Sequence, residues 1–367
     1  MESIVKHQHG GNLTLVAAKY GLDPEKIMDF SVNVNPLGPP EGVKTLVENW
    51  VSYITVYPEP YCDTLKEEYA SRLGTAPENL IFSNGAVELI YMLMQALRPR
   101  TVLIPGPTFR EYEIAARAFQ AKIKQFRLAP EKSFLPALKS LMRAACDVDM
   151  VFLCSPNNPT GSLFPQDFLG QFLNFCNNRG VFVVIDESFL IFHNCWQELS
   201  AVRDTADNRN LFVLQSLTKF FSIPGLRVGY AAAHQDTIKY LSRFQPPWQV
   251  NALAQASAAE AVKDKDYAHR SRTFVEQERM LLAAALSAIE GINVYPSEAP
   301  YLLLELRANL TAPFVADELA RKGILVRDCS NFAYLDDRFL RVAVKDREKN
   351  RLLAAELTGL INSGLQM

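Results

Sequence analysis

Between about residues 80 and 235, short apolar runs rich in β-branched residues alternate with amphipathic stretches of helical length. The predicted strands are 80–83, 102–105, 121–128, 150–154, 181–186, 211–215 and 228–232. The predicted helices between them include 87–97, 109–119, 135–145 and 166–177. Because continuous apolar strands separated by helices are typical of a parallel sheet covered on both faces, this region is predicted to be a doubly wound α/β domain.

The pattern changes after Pro246 and Pro247. Helical patterns at 252–262 and 267–289 precede candidate strands at 292–295, 301–306, 324–327 and 340–344 and a helix at 347–360. A chain of 367 residues also exceeds the size at which one core usually splits. We therefore expect an N-terminal arm and substrate loop at 1–45, a large α/β domain at 46–250 and a smaller α+β domain at 251–367. The first forty residues are rich in Gly, Asn and Pro, which indicates turns and a binding loop rather than packed helix.

Composition excludes several classes of partner. The 38 Lys and Arg residues nearly balance 40 Asp and Glu residues, so the net charge of −2 offers no footprint for nucleic acid or an anionic membrane. The six cysteines are scattered without a C-x-x-C pair, which favours neither a disulfide framework nor a metal site. No signal-like or 18-residue apolar segment is present. We expect a soluble, cytoplasmic protein.

The most informative segment, residues 216–229, has the sequence SLTKFFSIPGLRVG and follows an apolar strand. It places Lys219 beside the hydroxyls of Ser216 and Thr218 and eight positions before Arg227. Burial and a nearby cation favour the neutral, nucleophilic form of a lysine, and the hydroxyls and Arg227 can hold a phosphate. A lone lysine after a strand is more often a surface residue. The whole segment, however, resembles the lysine signature of fold-type I pyridoxal-phosphate enzymes of the aminotransferase class I/II superfamily.

This resemblance implies that Lys219 holds pyridoxal 5′-phosphate and that Asp186 is its catalytic partner. Asp186 ends the apolar run 181–185 and matches the carboxylate that keeps the cofactor's pyridine nitrogen protonated, although an aspartate there could be only a helix cap. Asn158, in the segment SPNNPTG, matches the asparagine that reaches the ring hydroxyl oxygen and lies near the substrate carboxylate.

The resemblance assigns further cofactor contacts. Gly85, Ala86 and Val87 match the turn whose backbone N–H groups cradle the cofactor phosphate at a helix N-terminus. Phe109 matches the aromatic residue that stacks on the cofactor ring. Tyr57 matches a tyrosine that reaches the phosphate from the neighbouring subunit, so the resemblance implies a homodimer with shared active sites.

Two other positions concern the substrate and the branch of the superfamily. Arg341 alternates with apolar residues on a predicted strand and matches the arginine that binds the substrate α-carboxylate, with a structural salt bridge as the alternative. Phe189 stands where many members carry a tyrosine that donates to the ring hydroxyl. This departure points away from the standard aromatic and aspartate aminotransferases.

The segments HGGN and DFSVNVNPLG, at residues 9–12 and 29–38, resemble the threonine-phosphate decarboxylase branch, which acts in cobalamin biosynthesis. A phosphorylated amino acid needs donors beyond those that hold the cofactor. The substrate-binding candidates in this reading, besides Asn158 and Arg341, are His9, Gly10, Asn12, Asn33 and Arg327.

The resemblance implies decarboxylation of L-threonine O-3-phosphate to (R)-1-aminopropan-2-ol O-2-phosphate, the linker of the cobamide nucleotide loop. Histidinol-phosphate aminotransferase is an alternative, since Arg327 also matches its phosphate-binding arginine. L-Serine O-phosphate is an alternative substrate, because one methyl group gives only about 1–3 kcal/mol of discrimination. A non-catalytic binding protein would not need Lys219, Asp186, Asn158, Arg227 and Arg341 together.

Overall fold

The computed structural model describes residues 10–307 and 310–365. Its strands are β1 (Met28–Asp29), β2 (Leu80–Ser83), β3 (Thr101–Gly106), β4 (Lys122–Arg127), β5 (Met150–Cys154), β6 (Phe182–Asp186), β7 (Leu211–Ser216), β8 (Gly229–Ala233), β9 (Ile292–Val294), β10 (Tyr301–Leu306), β11 (Ile324–Leu325), β12 (Arg327–Asp328) and β13 (Phe339–Ala343). Its α-helices are α1 (Leu13–Tyr20), α2 (Glu41–Glu48), α3 (Val51–Ile54), α4 (Asp63–Leu73), α5 (Ala86–Leu97), α6 (Glu111–Ala118), α7 (Leu138–Ala144), α8 (Gln166–Asn177), α9 (Trp196–Leu199), α10 (Leu217–Phe220), α11 (Gln235–Leu241), α12 (Ala252–Lys263), α13 (Lys265–Ser287), α14 (Ala312–Arg321) and α15 (Arg347–Leu365).

The large sheet has the strand order β2-β8-β7-β6-β5-β3-β4. Strand β8 is antiparallel to both of its neighbours, and the other adjacent pairs are parallel. Along β6, Val183 and Ile185 pack into one core while Val184 packs into the core on the opposite face. Burial on both faces explains why these strands are apolar throughout. The predicted α/β fold with a mostly parallel sheet is confirmed.

The order of the strands brings the ends of β5, β6 and β7 to one edge of the sheet. Cys154 pairs with Asp186, and Asp186 pairs with Leu214, two residues before the end of β7. In open α/β sheets, ligands bind outside the carboxyl ends of the strands. The residues just after these strands are therefore in the position where this fold binds small molecules.

A second, antiparallel sheet has the order β12-β13-β10-β9. Leu286 of α13, Leu319 of α14 and Leu357 of α15 are buried in the core beside it. The N-terminal segment joins this core, because Phe30 is buried there and Met28 pairs with Ile324 in a parallel ladder. Helix α12 instead joins the core on one face of the large sheet, where it packs against α2 and α4. The domain boundaries after residues 45 and 250 remain predictions.

Two local predictions are wrong. Residues 13–20 form helix α1, although the composition of the first forty residues predicted turns. Gly21 ends this helix in the left-handed conformation, and both Lys19 and Tyr20 bind Asp317 on α14, a contact that local composition cannot reveal. The predicted strand 324–327 is divided into β11 and β12, which pair with different partners, β1 and β13.

Within residues 10–307 and 310–365, every helix is too short or too polar to span a lipid bilayer.

Candidate active site

A cavity of about 560 Å³ lies at the carboxyl edge of the large sheet. The N-terminal segment and the second sheet form its other sides. It contains most of the residues singled out in the sequence. The predicted site residues that line it are Gly10, Asn33, Ala86, Val87, Phe109, Asn158, Asp186, Ser216, Thr218, Lys219, Arg227, Arg327 and Arg341. Residues from opposite ends of the chain thus meet in one space.

Lys219 lies in α10, the single helical turn that follows β7. Burial, together with the positive charges of Arg227 and Arg341, lowers the pKa of its amino group to about 8. About a tenth of this amine is neutral at pH 7, far more than for an ordinary lysine, and the neutral form is the one that acts as a nucleophile. The hydroxyls of Ser216 and Thr218, on either side of Leu217, bond each other at 2.9 Å.

Asp186 is buried at the end of β6 and faces the cavity. Its Oδ1 accepts a hydrogen bond from the Ser188 N–H at 2.9 Å, and its Oδ2 accepts one from the Tyr112 hydroxyl at 2.6 Å. Burial raises the pKa of the carboxyl, whereas hydrogen bonds from the Ser188 side chain, the Tyr112 hydroxyl and the Ser188 backbone lower it. The carboxylate is therefore held in place at the cavity wall.

An anion cradle forms where β2 ends and α5 begins. Gly85 precedes the helix with a φ of 88°, and a Cβ placed there would lie 2.6 Å from Arg227 Nη2. Glycine is thus required both for the backbone conformation and for the close approach of the guanidinium. The N–H groups of Ala86 and Val87 have no helical carbonyl to bond, since they open the helix. Together with Arg227, Ser216 and Thr218 they can bind a phosphate.

Arg341 is buried on β13 at the other side of the cavity. Its Nη1 donates to Asn158 Oδ1 at 2.5 Å, and its Nη2 donates to the Ser31 carbonyl at 2.6 Å. Its Nε has no hydrogen-bond partner among the described residues. A buried guanidinium with unused donors is a subsite for an anion such as a carboxylate.

A further cationic region lies beside β12. Arg327 donates to Asn331 Oδ1 at 2.8 Å and packs over the Phe332 ring, and it shares the cavity with Arg110. Burial, and then the like charge of Arg110, lower the pKa of Arg327. The buried Asn33 Oδ1 at the cavity also lacks a partner among the described residues, and as an acceptor it suits a donor group of a ligand rather than the anion itself. This region can receive a second anionic group.

Among the predicted contacts within the described residues, Tyr57, Asn12 and Gly85 do not line this cavity, although Gly85 lies against Arg227, which does. Tyr57 is 84% exposed and packs beside Trp248, with ring centroids 5.1 Å apart and planes tilted by 45°. Asn12 is exposed at the start of α1 and does not line the cavity. His9 lies outside the described residues.

Comparison with known proteins assigns the family. Residues 25–357 match the family model described as aminotransferase class I and II. The chain belongs to this family. It is 32% identical to threonine-phosphate decarboxylase from Salmonella typhimurium, with 96% of each chain aligned. It is also 32% identical to histidinol-phosphate aminotransferase from Methanocaldococcus jannaschii, over 90% of this chain and 88% of that protein.

Solved structures named for either of these two reactions also align with this chain. The L-threonine-O-3-phosphate decarboxylase from Porphyromonas gingivalis aligns with a TM-score of 0.81 and 29% identity, covering 92% of this chain and 100% of that one. The histidinol-phosphate aminotransferase from Clostridium acetobutylicum aligns with a TM-score of 0.86 and 28% identity over the same shares. Overall similarity therefore does not separate the two reactions.

The donor set of this class I and II family member fits pyridoxal phosphate. The cradle at Gly85 and Arg227 provides donors for its phosphate, Lys219 provides an amine, and Asp186 provides a buried carboxylate for the ring nitrogen. The Asn158 amide and the Phe109 ring face the same space. Phe189 also lines the cavity, at the position where many family members have a tyrosine, and it has no hydroxyl to donate.

Sequence reasoning missed Arg110 and Tyr112. Arg110 follows Phe109 directly, but no motif marks a charged residue there as a cavity residue. Tyr112 has the pattern of an ordinary core aromatic, and its link to Asp186 joins positions 74 residues apart. Only the three-dimensional arrangement of β3, α6 and β6 reveals it.

Proposed function

We propose that this protein is a pyridoxal-phosphate-dependent decarboxylase of L-threonine O-3-phosphate. It releases carbon dioxide and (R)-1-aminopropan-2-ol O-2-phosphate, the linker unit of the cobamide nucleotide loop. The observation that carries the proposal is the presence of three cationic subsites around Lys219, two of which adjoin because Arg327 and Arg341 are cross-strand partners. These subsites are the cradle with Arg227, the buried Arg341 and the pair formed by Arg110 and Arg327.

Three subsites match three anionic groups. The cradle suits the cofactor phosphate, and Arg341 suits an α-carboxylate because it is held by Asn158 and Ser31 with Nε unused. Arg110 and Arg327 then remain for a phosphate on the substrate side chain. A dianion between two guanidinium groups makes charge-assisted hydrogen bonds and also relieves their mutual repulsion.

The residues around the cavity have different roles in the reaction. Bound pyridoxal phosphate supplies an electron sink for the pair of electrons left when a bond to Cα breaks. Arg341 orients the substrate carboxylate, so that the Cα–carboxylate bond is the one that breaks. Asp186 holds a proton on the ring nitrogen. Lys219 then donates a proton from Nζ to Cα after carbon dioxide has left, which its lowered pKa permits.

Histidinol-phosphate aminotransferase is the second candidate, since relatives with that name also align over most of the chain. Such an enzyme would use Lys219 to remove a proton from Cα rather than to supply one. The cavity contains the groups for either reaction. The keto acid and glutamate of the aminotransferase reaction carry a carboxylate for Arg341, but histidinol phosphate has none at Cα.

Product analysis tests the proposal. The purified protein with pyridoxal phosphate is incubated with O-phospho-L-threonine, O-phospho-L-serine, L-threonine, or histidinol phosphate plus 2-oxoglutarate, and carbon dioxide and glutamate are measured separately. We expect carbon dioxide from O-phospho-L-threonine without a keto acid, and little from L-threonine. Faster release from O-phospho-L-serine would change the substrate. Glutamate without carbon dioxide would contradict decarboxylation.

The phosphate subsite has its own test. Replacing Arg110 or Arg327 with Gln removes one cation, so we expect KM for O-phospho-L-threonine to rise about 10-fold while kcat changes less than about 3-fold. Arg243→Gln on the outer surface is the matched control. Equal losses toward L-threonine and its phosphate ester would show that these arginines do not bind the phosphate.

We also propose that the enzyme is a homodimer. An apolar surface, formed by Val51, Ile54, Val56, Tyr57 and Trp248, has every side chain between 48% and 84% exposed. A second copy of the chain on this surface would bury it and bring Tyr57 toward a neighbouring cavity. Large exposed apolar patches of this kind mark association sites.

Sedimentation or light scattering tests the dimer. Wild-type protein is expected to have twice the 41.2 kDa mass of the chain. Trp248→Glu places a charge in the apolar surface and should shift the mass toward one chain, whereas Tyr240→Glu, at an exposed position elsewhere, should not. A monomer at micromolar concentration, in the presence of cofactor, would contradict this proposal.

A further inference from the structure

Behind the cavity wall, Tyr112 makes a direct contact with the carboxylate of Asp186. Tyr112 is fully buried in α6 and does not line the cavity. Its hydroxyl donates to Asp186 Oδ2 at 2.6 Å, while Ser188 N–H donates to Oδ1 at 2.9 Å. Tyr112 thus contacts the carboxylate from behind the cavity wall, whereas Ser188 itself lines the cavity.

Packing fixes the position of the Tyr112 hydroxyl. Its ring stacks on Phe152 of β5, with centroids 4.9 Å apart and planes at 7°. It also meets the edge of Phe109 at 5.6 Å and 82°. Strand β5 is the neighbour of β6, which ends at Asp186, so the ring is tied to the same sheet as the carboxylate. The hydroxyl has little freedom to turn away.

The electrostatic surroundings of Asp186 make this donor important. Burial raises the pKa of the carboxyl, and the bonds from Ser188 and Tyr112 oppose that rise. Cys154 on β5, Tyr301 on β10 and the neighbouring Glu187 also interact electrostatically with Asp186. Ser188 bonds this carboxylate through its side chain and its backbone, and Tyr112 adds a hydroxyl from a separate helix.

Tyr112 keeps its proton throughout the working range. Burial, and then the negative charge of Asp186, raise the pKa of the phenol well above its usual value. The hydroxyl therefore acts as a permanent donor rather than as a group that titrates with Asp186.

We infer that Tyr112 is a positioning residue that acts through Asp186: its hydroxyl orients this carboxylate and favours the ionised form that holds a proton on the ring nitrogen of bound pyridoxal phosphate. The inference rests on the cofactor assignment in the proposed function, but not on the choice between decarboxylation and transamination. Both reactions need a protonated ring as electron sink. Because Phe189 cannot donate a hydrogen bond to the ring hydroxyl, the electron sink depends more strongly on the protonation of the ring nitrogen.

The first measurement needs no cofactor. The carboxylate carbons of aspartate are labelled with ¹³C in the full-length protein, Asp186→Asn identifies the Asp186 signal, and the signal is followed against pH. In Tyr112→Phe we expect the midpoint to rise by about one pH unit, because the ionised form loses a hydrogen bond. Tyr69→Phe removes a buried tyrosine hydroxyl that bonds only the Ala258 carbonyl, and it should leave the midpoint unchanged.

A second variant separates the hydroxyl from the packing of the ring. Phe152→Leu removes the stacking partner and keeps the hydroxyl, so its midpoint should stay within about 0.3 pH units of wild type even if the protein unfolds at a lower temperature. An unchanged midpoint in Tyr112→Phe would overturn the inference. Equal shifts in Tyr112→Phe and Phe152→Leu would also overturn it, since they would reduce Tyr112 to a packing role.

The loaded enzyme gives an independent readout. With cofactor labelled by ¹⁵N in the ring, the nitrogen signal of Tyr112→Phe should move toward that of neutral pyridine, kcat should fall about 10-fold, and KM should change less than about 2-fold. A wild-type signal in this variant contradicts the inference. Failure of wild-type protein to bind the cofactor would contradict the proposed function instead, and the carboxylate titration would still decide the role of Tyr112.

Discussion

The two walls of the cavity differ in how their polar groups are satisfied. The sheet wall is formed by Asp186, Ser216, Thr218, Lys219 and Arg227, and its carboxylate and hydroxyls bond groups of the protein itself. The arm wall is formed by Gly10, Ser31, Asn33, Arg327 and Arg341, and it contains two buried polar atoms, Asn33 Oδ1 and Arg341 Nε, without partners among the described residues.

This difference separates chemistry from recognition. A buried polar atom without a partner costs about 1–3 kcal/mol, so the arm wall is stable only at some expense to the fold. A ligand that provides the missing partners recovers that cost on binding. The sheet wall is preorganised for the reacting atoms, whereas the arm wall is arranged to be completed by a substrate.

The largest effect is expected from a substitution in the sheet wall. Lys219→Ala removes the amine, and we expect turnover to fall by about 10³-fold or more together with the visible absorbance of lysine-bound cofactor. Lys239→Ala, on the exposed side of α11, is the control. If Lys219→Ala retains that absorbance, another lysine holds the cofactor.

A change in the arm wall tests recognition of the carboxylate. Lys at position 341 cannot serve Asn158, Ser31 and a carboxylate together, because an ammonium is a point donor rather than a planar fork. We expect Arg341→Lys to lower kcat/KM for O-phospho-L-threonine about 100-fold, with cofactor binding nearly unchanged. Arg338→Lys, exposed nearby on the surface, should have no effect. A loss below 3-fold would mean that the carboxylate binds elsewhere.

The cradle at the base of the sheet wall depends on a glycine. Gly85→Ala places a Cβ 2.6 Å from Arg227 Nη2 in a left-handed conformation, so we expect the Kd for pyridoxal phosphate to rise about 10-fold. Gly170→Ala, in helix α8 with open space around its Cα, is the matched control. Equal affinities in the two variants would argue against the cradle.

The pH dependence of cofactor capture sharpens the account of the sheet wall. The pKa of Lys219 is lowered to about 8, so its neutral fraction grows as pH rises through that value. Between pH 7 and pH 9 the rate of capture should rise about 10-fold and then level off. Stopped-flow absorbance measures the rate. A rise of about 100-fold between pH 7 and pH 9 that levels off only above about pH 10 would show an unperturbed lysine.

The smallest effect distinguishes two asparagines of the N-terminal segment. Asn33 is buried at the cavity, and we expect Asn33→Ala to raise the substrate KM about 5-fold. Asn12 is exposed outside the cavity, and Asn12→Ala should change KM by less than about 2-fold. A larger effect of Asn12→Ala would mean that the segment rearranges when substrate binds.

The sheet wall could be predicted from the sequence more fully than the arm wall. Asp186 and Ser216 end strands of the large sheet and Lys219 follows one, so local patterns and strand order place them together. The link between Arg341 and Ser31 joins positions 310 residues apart, and the helix at Leu13–Tyr20 is held by Asp317 on α14. Contacts between such distant segments leave no local periodicity, which is also why Arg110 and Tyr112 were missed.

The parallel pairing of Met28–Asp29 with Ile324–Leu325 has a consequence for synthesis on the ribosome. The N-terminal strand leaves the exit tunnel long before its partner strand has been synthesised. The arginine that bonds the Ser31 carbonyl lies 310 positions later in the chain. At roughly 5–20 residues per second, this delay is about 15–60 s. The large sheet can form during that interval, but the arm wall is completed only when the chain is nearly finished. A nascent chain would therefore acquire its reactive lysine before it could select a substrate.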